Sequence, residues 1–350
     1  MKKVNFVKRC AYGVFCTLSA LSILLTSSCQ KDASTASTAT VSSSALSGKL
    51  RSSYAAVKYV KTAAIYYSYK NNITINADSI NGGSAACIQL AYCNNVHITH
   101  CKLMNSSSFG IYLNNCSNVL IDSCYIANVG AGVYAEDCHQ GQIRVMYNQM
   151  QNMKGPYPHA DFIQFDRVYG TYNRICYNKL ENIYGQSNPE DGINTYMSTG
   201  TSADPIYIIG NEIRGGGPSI TGSGICVGDN GGSYQVVESN ILVSSGYGGI
   251  DCAGGNNMQI LNNTIYSPSY SWSGFGLGSN NFASAPSYSN KITGNKVYWI
   301  AGHWGGYERD TVYRYATGTK ANPMPSGWKA NTVHASINAS ILPATLIDYK

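Results

Sequence analysis

The sequence predicts an all-β solenoid, one chain wound into a parallel β-helix of about nine or ten coils. Three observations predict it. First, one phrase recurs about nine times: a small residue and Ile, a polar stretch, an apolar pair, and a closing polar-x-apolar triplet. One copy is Gly110-Ile111, Val119, Ile121 and Cys124-Tyr125-Ile126; others are Gly192-Ile193, Ile206, Ile208 and Asn211-Glu212-Ile213, and Gly249-Ile250, Met258, Ile260 and Asn263-Thr264-Ile265. Second, each period holds three short apolar stretches with almost no helical periodicity, so each coil is read as three strands. Third, a polar marker recurs two residues before the last apolar position: Asp78, Cys101, Cys124, Asn148, Asn178, Asn211, Asn240, Asn263 and Asn295. Identical polar residues stacked at one turn can hydrogen-bond along the axis as a ladder.

The opening apolar residue falls at Ile88, Ile111, Val133, Ile163, Ile193, Ile225, Ile250 and Leu277, at intervals of 23, 22, 30, 30, 32, 25 and 27. Coils of 22 or 23 residues leave only short turns between three strands. Coils of 30 to 32 carry extra loop, and loops are where rigid scaffolds place function. The insertions are residues 153–160 (MKGPYPHA), 184–190 (YGQSNPE), 195–205 (TYMSTGTSADP) and 214–223 (RGGGPSITGS). They flank successive opening strands and are expected to cluster along one edge of that sheet.

Over residues 63–300 this pattern resembles the right-handed parallel β-helix repeat proteins of the pectate-lyase-like superfamily. The right hand follows from that resemblance and from the usual hand of parallel crossovers. The superfamily includes lyases, glycoside hydrolases, epimerases, esterases and adhesins, so the fold does not select a function.

The start reads as a secretion signal. Lys2, Lys3, Lys8 and Arg9 form a basic head before an apolar stretch that closes on small residues. Leu25-Thr26-Ser27-Ser28-Cys29 resembles a bacterial lipobox, which makes Cys29 the lipidated first residue of the mature chain. Gln30-Lys31-Asp32 resembles the surface-export signal of Bacteroidota lipoproteins, which implies a lipid anchor in the outer membrane, facing outward. The expected order is signal peptide 1–28, flexible Ser/Thr/Ala-rich tether 29–48, a capping segment 49–62 readable as a short helix, the β-helix 63–300, and an irregular cap 301–350 that wraps or plugs the last coil.

The chain carries 24 basic and 18 acidic residues, a net +6. The signal holds four of the basic residues and no acid, so the mature balance is 20 against 18, about +2. There is no basic stripe, so no nucleic-acid partner is implied. A monomer is expected, touching the membrane through its lipid alone. Beyond the signal and Cys29, nine cysteines remain, an odd number. Cys93, Cys116 and Cys138, and Cys101 and Cys124, follow the repeat. They read as stacked buried thiols or as disulfides between adjacent coils; no CxxC pair supports a metal site.

Two leading loops feed similar strands: His159-Ala160-Asp161-Phe162-Ile163-Gln164 and Glu190-Asp191-Gly192-Ile193-Asn194. Asp161 and Asp191 each sit two residues before the strand Ile, so they stack on adjacent coils, roughly 5 Å apart at the strand spacing. Three readings fit the pair. Close carboxylates split their pKa values and serve as acid and base in glycoside hydrolysis, with His159 a further proton carrier. Alternatively each Asp bonds backbone N–H groups of its turn, or the pair helps to bind Ca2+. Strict alternation turns Tyr134, Glu136, Gln164, Asp166, Asn194 and Tyr196 outward, with Asp251 further along. Acids, amides and rings on a flat sheet suit a sugar chain, and 28 Tyr against 7 Phe and 4 Trp shows a bias toward rings that tolerate water. Arg167 and Arg174 would meet an acidic polymer or pair with Asp166 and Glu181.

Tyr157-Pro158-His159-Ala160-Asp161 is also similar to the Pro-His active-site stretch of alginate C5-epimerases, although Tyr157 stands where that motif has Asp. The resemblance implies proton-transfer roles for Tyr157, His159 and Asp161. The leading reading is a surface-anchored polysaccharide-active protein, a glycan hydrolase or lyase acting on an acidic or plant-type polymer. Asp161, Asp191 and His159 are its candidate catalytic residues; Tyr134, Glu136, Gln164, Asp166, Arg167, Asn194 and Tyr196 are its substrate contacts. No metal ligand set is assigned. The competing readings are a non-catalytic glycan-binding or adhesin-like lipoprotein and a purely structural envelope protein.

Overall fold

The computed structural model describes residues 57–155, 160–314, 316–317 and 320–349. The signal, Cys29, the tether, Tyr157 and His159 lie outside the described residues. Nine coils wind through three parallel sheets. The first sheet holds the opening strands: Ile65–Ser68, Ile88–Ala91, Ile163–Asp166, Ile193–Tyr196, Ser223–Asp229, Gly248–Cys252 and Phe275–Ser279. Two more enter it from strands Lys102–Asn114 and Tyr125–Glu136, which run without a break round the corner from the third sheet. The second sheet has nine strands, from Asn71–Asn76 to Lys291–Thr293, and the third runs from Asp78–Gly83 to Lys296–Ala301.

The opening residues form one column. Ile88, Ile111, Val133, Ile163, Ile193, Ile225, Ile250 and Leu277 pair in register on successive strands, and all are completely buried. The markers form a second column, a hydrogen-bonded ladder. Asn148 donates its backbone N–H and its amide to Asn178 Oδ1, at 3.0 and 3.1 Å. The same double bond repeats from Asn178 to Asn211, Asn240, Asn263, Asn295 and Asn331, at 2.8 to 3.0 Å. In the shorter coils cysteine replaces asparagine: the Cys101 N–H meets Cys124 Sγ at 3.4 Å, and the Cys124 N–H meets Asn148 Oδ1 at 3.0 Å. A buried corner N–H needs such a partner. Cys87, Cys93, Cys101, Cys116, Cys138, Cys226 and Cys252 are free, buried thiols, and Cys124 is buried beside Cys101.

Corners turn on single residues in the left-handed region. Between the first and second sheets these include Tyr92, Asn115, Asp137, Arg167 and Met197, with φ between 48° and 55°. Isolated residues of this kind bend a chain without starting a helix.

Both ends differ from expectation. The described part of the capping segment is not helical: Val60–Lys61 is a strand that pairs with Asp78 and Ser79. It adds to the open edge of the third sheet, because an edge strand offers unpaired backbone groups that another strand satisfies. The tail does more than close the last coil. Thr311–Tyr313 adds a tenth strand to the first sheet and Trp328 packs on the core. The chain then runs back along the third sheet, where Leu342, Leu346 and Ile347 cover Tyr125, Ala127 and Val243. Glu181 accepts the Leu346 and Ile347 N–H groups, and Tyr349 stacks on Tyr125 at 3.9 Å. On the outward face of the first sheet Gln164, Asp166, Asn194 and Asp251 are buried, while Glu136 and Tyr196 are partly exposed.

Candidate functional site

That face is walled by loops on both edges, not on one. Residues 184–190 and 214–223 precede their opening strands, at the corner with the third sheet. Residues 197–205 follow theirs and stand at the opposite corner, between Ile193–Tyr196 and Ile206–Ile209. The position of each insertion relative to the strand decides which wall it builds. The floor carries Tyr134 and Glu136, Gln164 and Asp166, Asn194 and Tyr196, paired in register on adjacent strands.

Arg167 organises one half of the floor. Its left-handed corner position stacks on Asp137 of the preceding coil. Its Nε donates to Asp137 Oδ1 at 2.6 Å, its Nη2 donates to Glu136 Oε1 at 3.0 Å, and its Nη1 lies 2.6 Å from Asp166 Oδ1. The expected Arg167–Asp166 contact is therefore one of three; Arg174 instead pairs with Asp204 at 2.6 Å. Two tyrosines complete the network. Tyr134 donates to Asp166 Oδ2 at 2.7 Å and Tyr112 to Glu136 Oε2. Arg167 holds the Asp137 carboxyl below the usual range. Burial pushes Asp166 up, against the opposing pull of the Tyr134 bond and the Arg167 charge. Burial also raises the Tyr134 hydroxyl, and so does its bond to Asp166.

The other half holds the aspartate stack. Asp161 and Asp191 lie on consecutive coils, and each accepts the backbone N–H of the next coil. Asp161 Oδ1 takes the Asp191 N–H at 2.8 Å, and Asp191 Oδ1 takes the Ser223 N–H at 2.5 Å. Asp161 is only 1% exposed, and its Oδ2 is buried without a partner among the described residues. Asp191 Oδ2 accepts the Asn194 amide at 2.7 Å, and that amide also reaches Asp229 Oδ2 at 3.1 Å. Burial dominates the protonation of the stack. It drives Asp161 well above the usual carboxylate range, with the Asp191 charge adding to it. It lifts Asp191 to about 8 against the Ser223 and Asn194 bonds, helped by the charges of Glu190 and Asp229. Asp229 is raised by burial too, and Asp251, bonded by the Asn280 amide at 2.8 Å, to about 7.

Asp229 escapes a reading by alternation. Counting from Ile225, strict alternation turns Gly228 outward and Asp229 inward. The strand bulges instead, so that Asp229 pairs with Tyr196. Gly228 makes this possible: its φ is +68°, and a Cβ there would lie 2.2 Å from the Gly254 carbonyl oxygen. The Gly-Asp step inside an apolar strand was the available signal. The described groups able to gather round a metal are Glu308, Asp310 and His334. They lie by the tenth strand, where both Asp310 oxygens already accept backbone N–H groups, from Trp299 and His334.

A family model described as "Right handed beta helix region" matches residues 23–161. No curated protein matches the sequence. Among solved structures, an alginate lyase from Paenibacillus sp. str. FPU-7 is similar at 14% identity with a TM-score of 0.44, over 76% of this chain and 95% of that one. A double mutant of the tailspike protein of E. coli bacteriophage HK620 is similar at 12% identity with a TM-score of 0.43, over 72% of this chain and 44% of the tailspike. A second tailspike mutant, in complex with a hexasaccharide, gives 13% identity, a TM-score of 0.37 and coverage of 80% and 47%. The parallel sheets and the family match together make this chain a right-handed parallel β-helix.

Proposed function

We propose that this chain binds a polysaccharide in the first-sheet groove and cleaves it as a glycan hydrolase. One observation carries the reading: carboxyl groups of two kinds line one walled sheet face. Asp191 and Asp251 are lifted to about 8 and about 7 by burial, so they hold protons near neutral pH, while Arg167 keeps Asp137 ionised. Hydrolysis of a glycosidic bond needs a protonated acid and an ionised carboxylate facing one sugar. In this reading the Asp191–Asn194–Asp229 cluster supplies the proton, and Asp229, less buried than Asp191, presents it to the ligand. Asp137, held on Arg167, carries the ionised role, beside Glu136 and Asp166 on the same guanidinium. Gln164, Asn194, Tyr134 and Tyr196 meet hydroxyls and ring faces. Asp161, buried beneath this layer, positions the backbone of the next coil. His159 and Tyr157, outside the described residues, remain proposed proton carriers. Calcium is proposed only as an aid to an acidic polymer. The anchor proposed at Cys29 would hold the groove outside the outer membrane.

The test incubates the chain from Ala33 onward with neutral and uronic-acid polysaccharides, with and without calcium. New reducing ends without ultraviolet absorbance are expected, and Asp229→Asn should remove them while leaving the melting temperature within about 2 °C. Reducing ends with absorbance would mean a lyase. Affinity without cleavage would leave a glycan-binding protein, the second reading, which the backbone duties of Asp161 and Asp191 favour. Lipidation is tested separately, by loss of membrane association in Cys29→Ser.

A further inference from the structure

The corner where the third sheet passes into the first is lined with aromatic rings that the groove chemistry does not use. Tyr184 stacks on Trp272 at 4.7 Å, and Tyr270 stacks on Trp272 at 4.6 Å, joining loops three coils apart. Trp272 is buried against Gly217, where a Cβ would lie 2.4 Å from the ring, and its indole Nε1 has no partner among the described residues. Tyr184 is 65% exposed. Beside them lies a cavity of about 420 Å³, with Pro189, Pro218 and Ile220 as apolar wall and Asn188, Glu190 and Ser219 as polar groups. That volume is within the usual range for small-ligand sites. Thr221 donates to Glu190 Oε1 and fixes the carboxylate. Glu190, in the cavity wall, directly precedes Asp191 in the chain.

We propose that this corner is a sugar subsite continuous with the groove, taking an uncharged pyranose of the chain bound there. The proposal rests on the polysaccharide reading of the groove and adds where the chain goes and what charge it bears. An exposed ring offers a flat apolar surface to the apolar face of a pyranose, and Glu190 and Asn188 accept and donate to its hydroxyls. A uronate here would meet the Glu190 carboxylate, while the nearby Lys154 is committed to the Gln186 carbonyl. A bound chain would then cross from the aromatic corner over Asn194 toward Arg167.

The experiment uses the full-length chain in detergent and neutral oligosaccharides of increasing length, cut from a polymer it cleaves. In wild type, kcat/KM should rise at least tenfold once the oligosaccharide is long enough to reach the corner. Tyr184→Ala should remove that rise and leave the shortest substrate unchanged, Tyr184→Phe should keep it, and Glu190→Gln should reduce it. An oligouronate series should show no rise. Wild-type cleavage that does not depend on length, or an equal loss at every length in Tyr184→Ala, would overturn the subsite while the groove reading stands. A wild type that neither binds nor cleaves any sugar would overturn the groove reading and the subsite together.

Discussion

The coils that open at Ile88 and Ile111 and those that open at Ile163 and Ile193 differ in almost everything except their interior. The first pair follow a repeat of 22 or 23 residues and use Cys101 and Cys124 as ladder rungs. The second pair need 30 to 32 residues, use Asn178 and Asn211, and carry the walls of the groove. Yet Ile88, Ile111, Ile163 and Ile193 occupy one buried column in unbroken register. Loop length changes freely at the corners because a loop added outside the sheet alters neither strand pairing nor the core. Packing constrains the inside, and the chemistry of the outside is free to vary.

The strongest way to break this comparison is to remove one rung in each kind of coil. Asn211→Ala takes the acceptor from two buried donors, the Asn178 N–H and amide, and the donor from the Ile175 carbonyl. At about 1–3 kcal/mol for each buried group left unpaired, the loss should be about 3–5 kcal/mol. Cys101→Ala removes weak sulfur contacts, to the Ile75 and Thr99 carbonyls at 3.7 and 3.4 Å, to the Cys124 thiol and to the backbone of Ala77 and Asp78, and a small volume, so about 1–2 kcal/mol is expected. Urea denaturation of both variants measures the difference; equal losses would show that the two ladders do the same work.

A second break uses pH. Asp161, Asp191 and Asp251 have folded-state pKa values raised above those of the unfolded chain. Between about pH 4 and pH 8 the native state therefore keeps protons that the unfolded state has released. Their contribution is fully present below the unfolded pKa, and that of Asp191 and Asp251 is lost as pH rises through about 7 to 8. The melting temperature should be highest near pH 4–5 and several degrees lower at pH 8. Asp191→Asn, an uncharged mimic of the protonated acid, should flatten the slope with little change at pH 5. A melting temperature that climbs from pH 5 to pH 8 would contradict the assignment.

The interior was legible because it repeats. One apolar residue and one polar marker per coil, each seen about nine times, determine the strand column and the asparagine ladder. The groove does not repeat, and its residues were legible only where they obeyed alternation, as Glu136, Asp166 and Asn194 do. Asp229 broke the rule through a glycine bulge. Asp137 sits at a left-handed corner where alternation does not apply, and it reaches Arg167 only because the corner residues stack. Asp161 and Asp191 were legible as a stack; their burial and their backbone partners depend on loops whose paths no spacing records. The tail was the least legible part. Its docking on Tyr125 joins residues more than two hundred positions apart.

Arg167 tests the outside alone. Arg167→Ala leaves Glu136, Asp137 and Asp166 as uncompensated neighbours. The pairs are about one third exposed and screened by solvent, so a stability loss of about 1 kcal/mol is expected. Activity should fall by far more, at least a hundredfold, because Glu136, Asp137 and Asp166 lose their common anchor. Added salt should restore stability before activity.

The smallest effect should come from an asparagine ladder on the surface. Asn95 donates to Asn72 at 2.7 Å, and Asn118 donates to Asn95 at 3.0 Å, with the same residue type and coil spacing as a buried ladder. Here every group has water as an alternative partner, so the net value of each bond falls toward zero. Asn95 has φ 55°, a conformation that glycine adopts without strain, so Asn95→Gly isolates the side-chain bonds from the backbone preference. A change within about 0.5 kcal/mol is expected in the denaturation that registers the full loss for Asn211→Ala. If Asn95→Gly instead lost 2 kcal/mol or more, burial would not be what gives the inner ladder its strength. The contrast between a constant interior and a permissive surface would then fail at its simplest test.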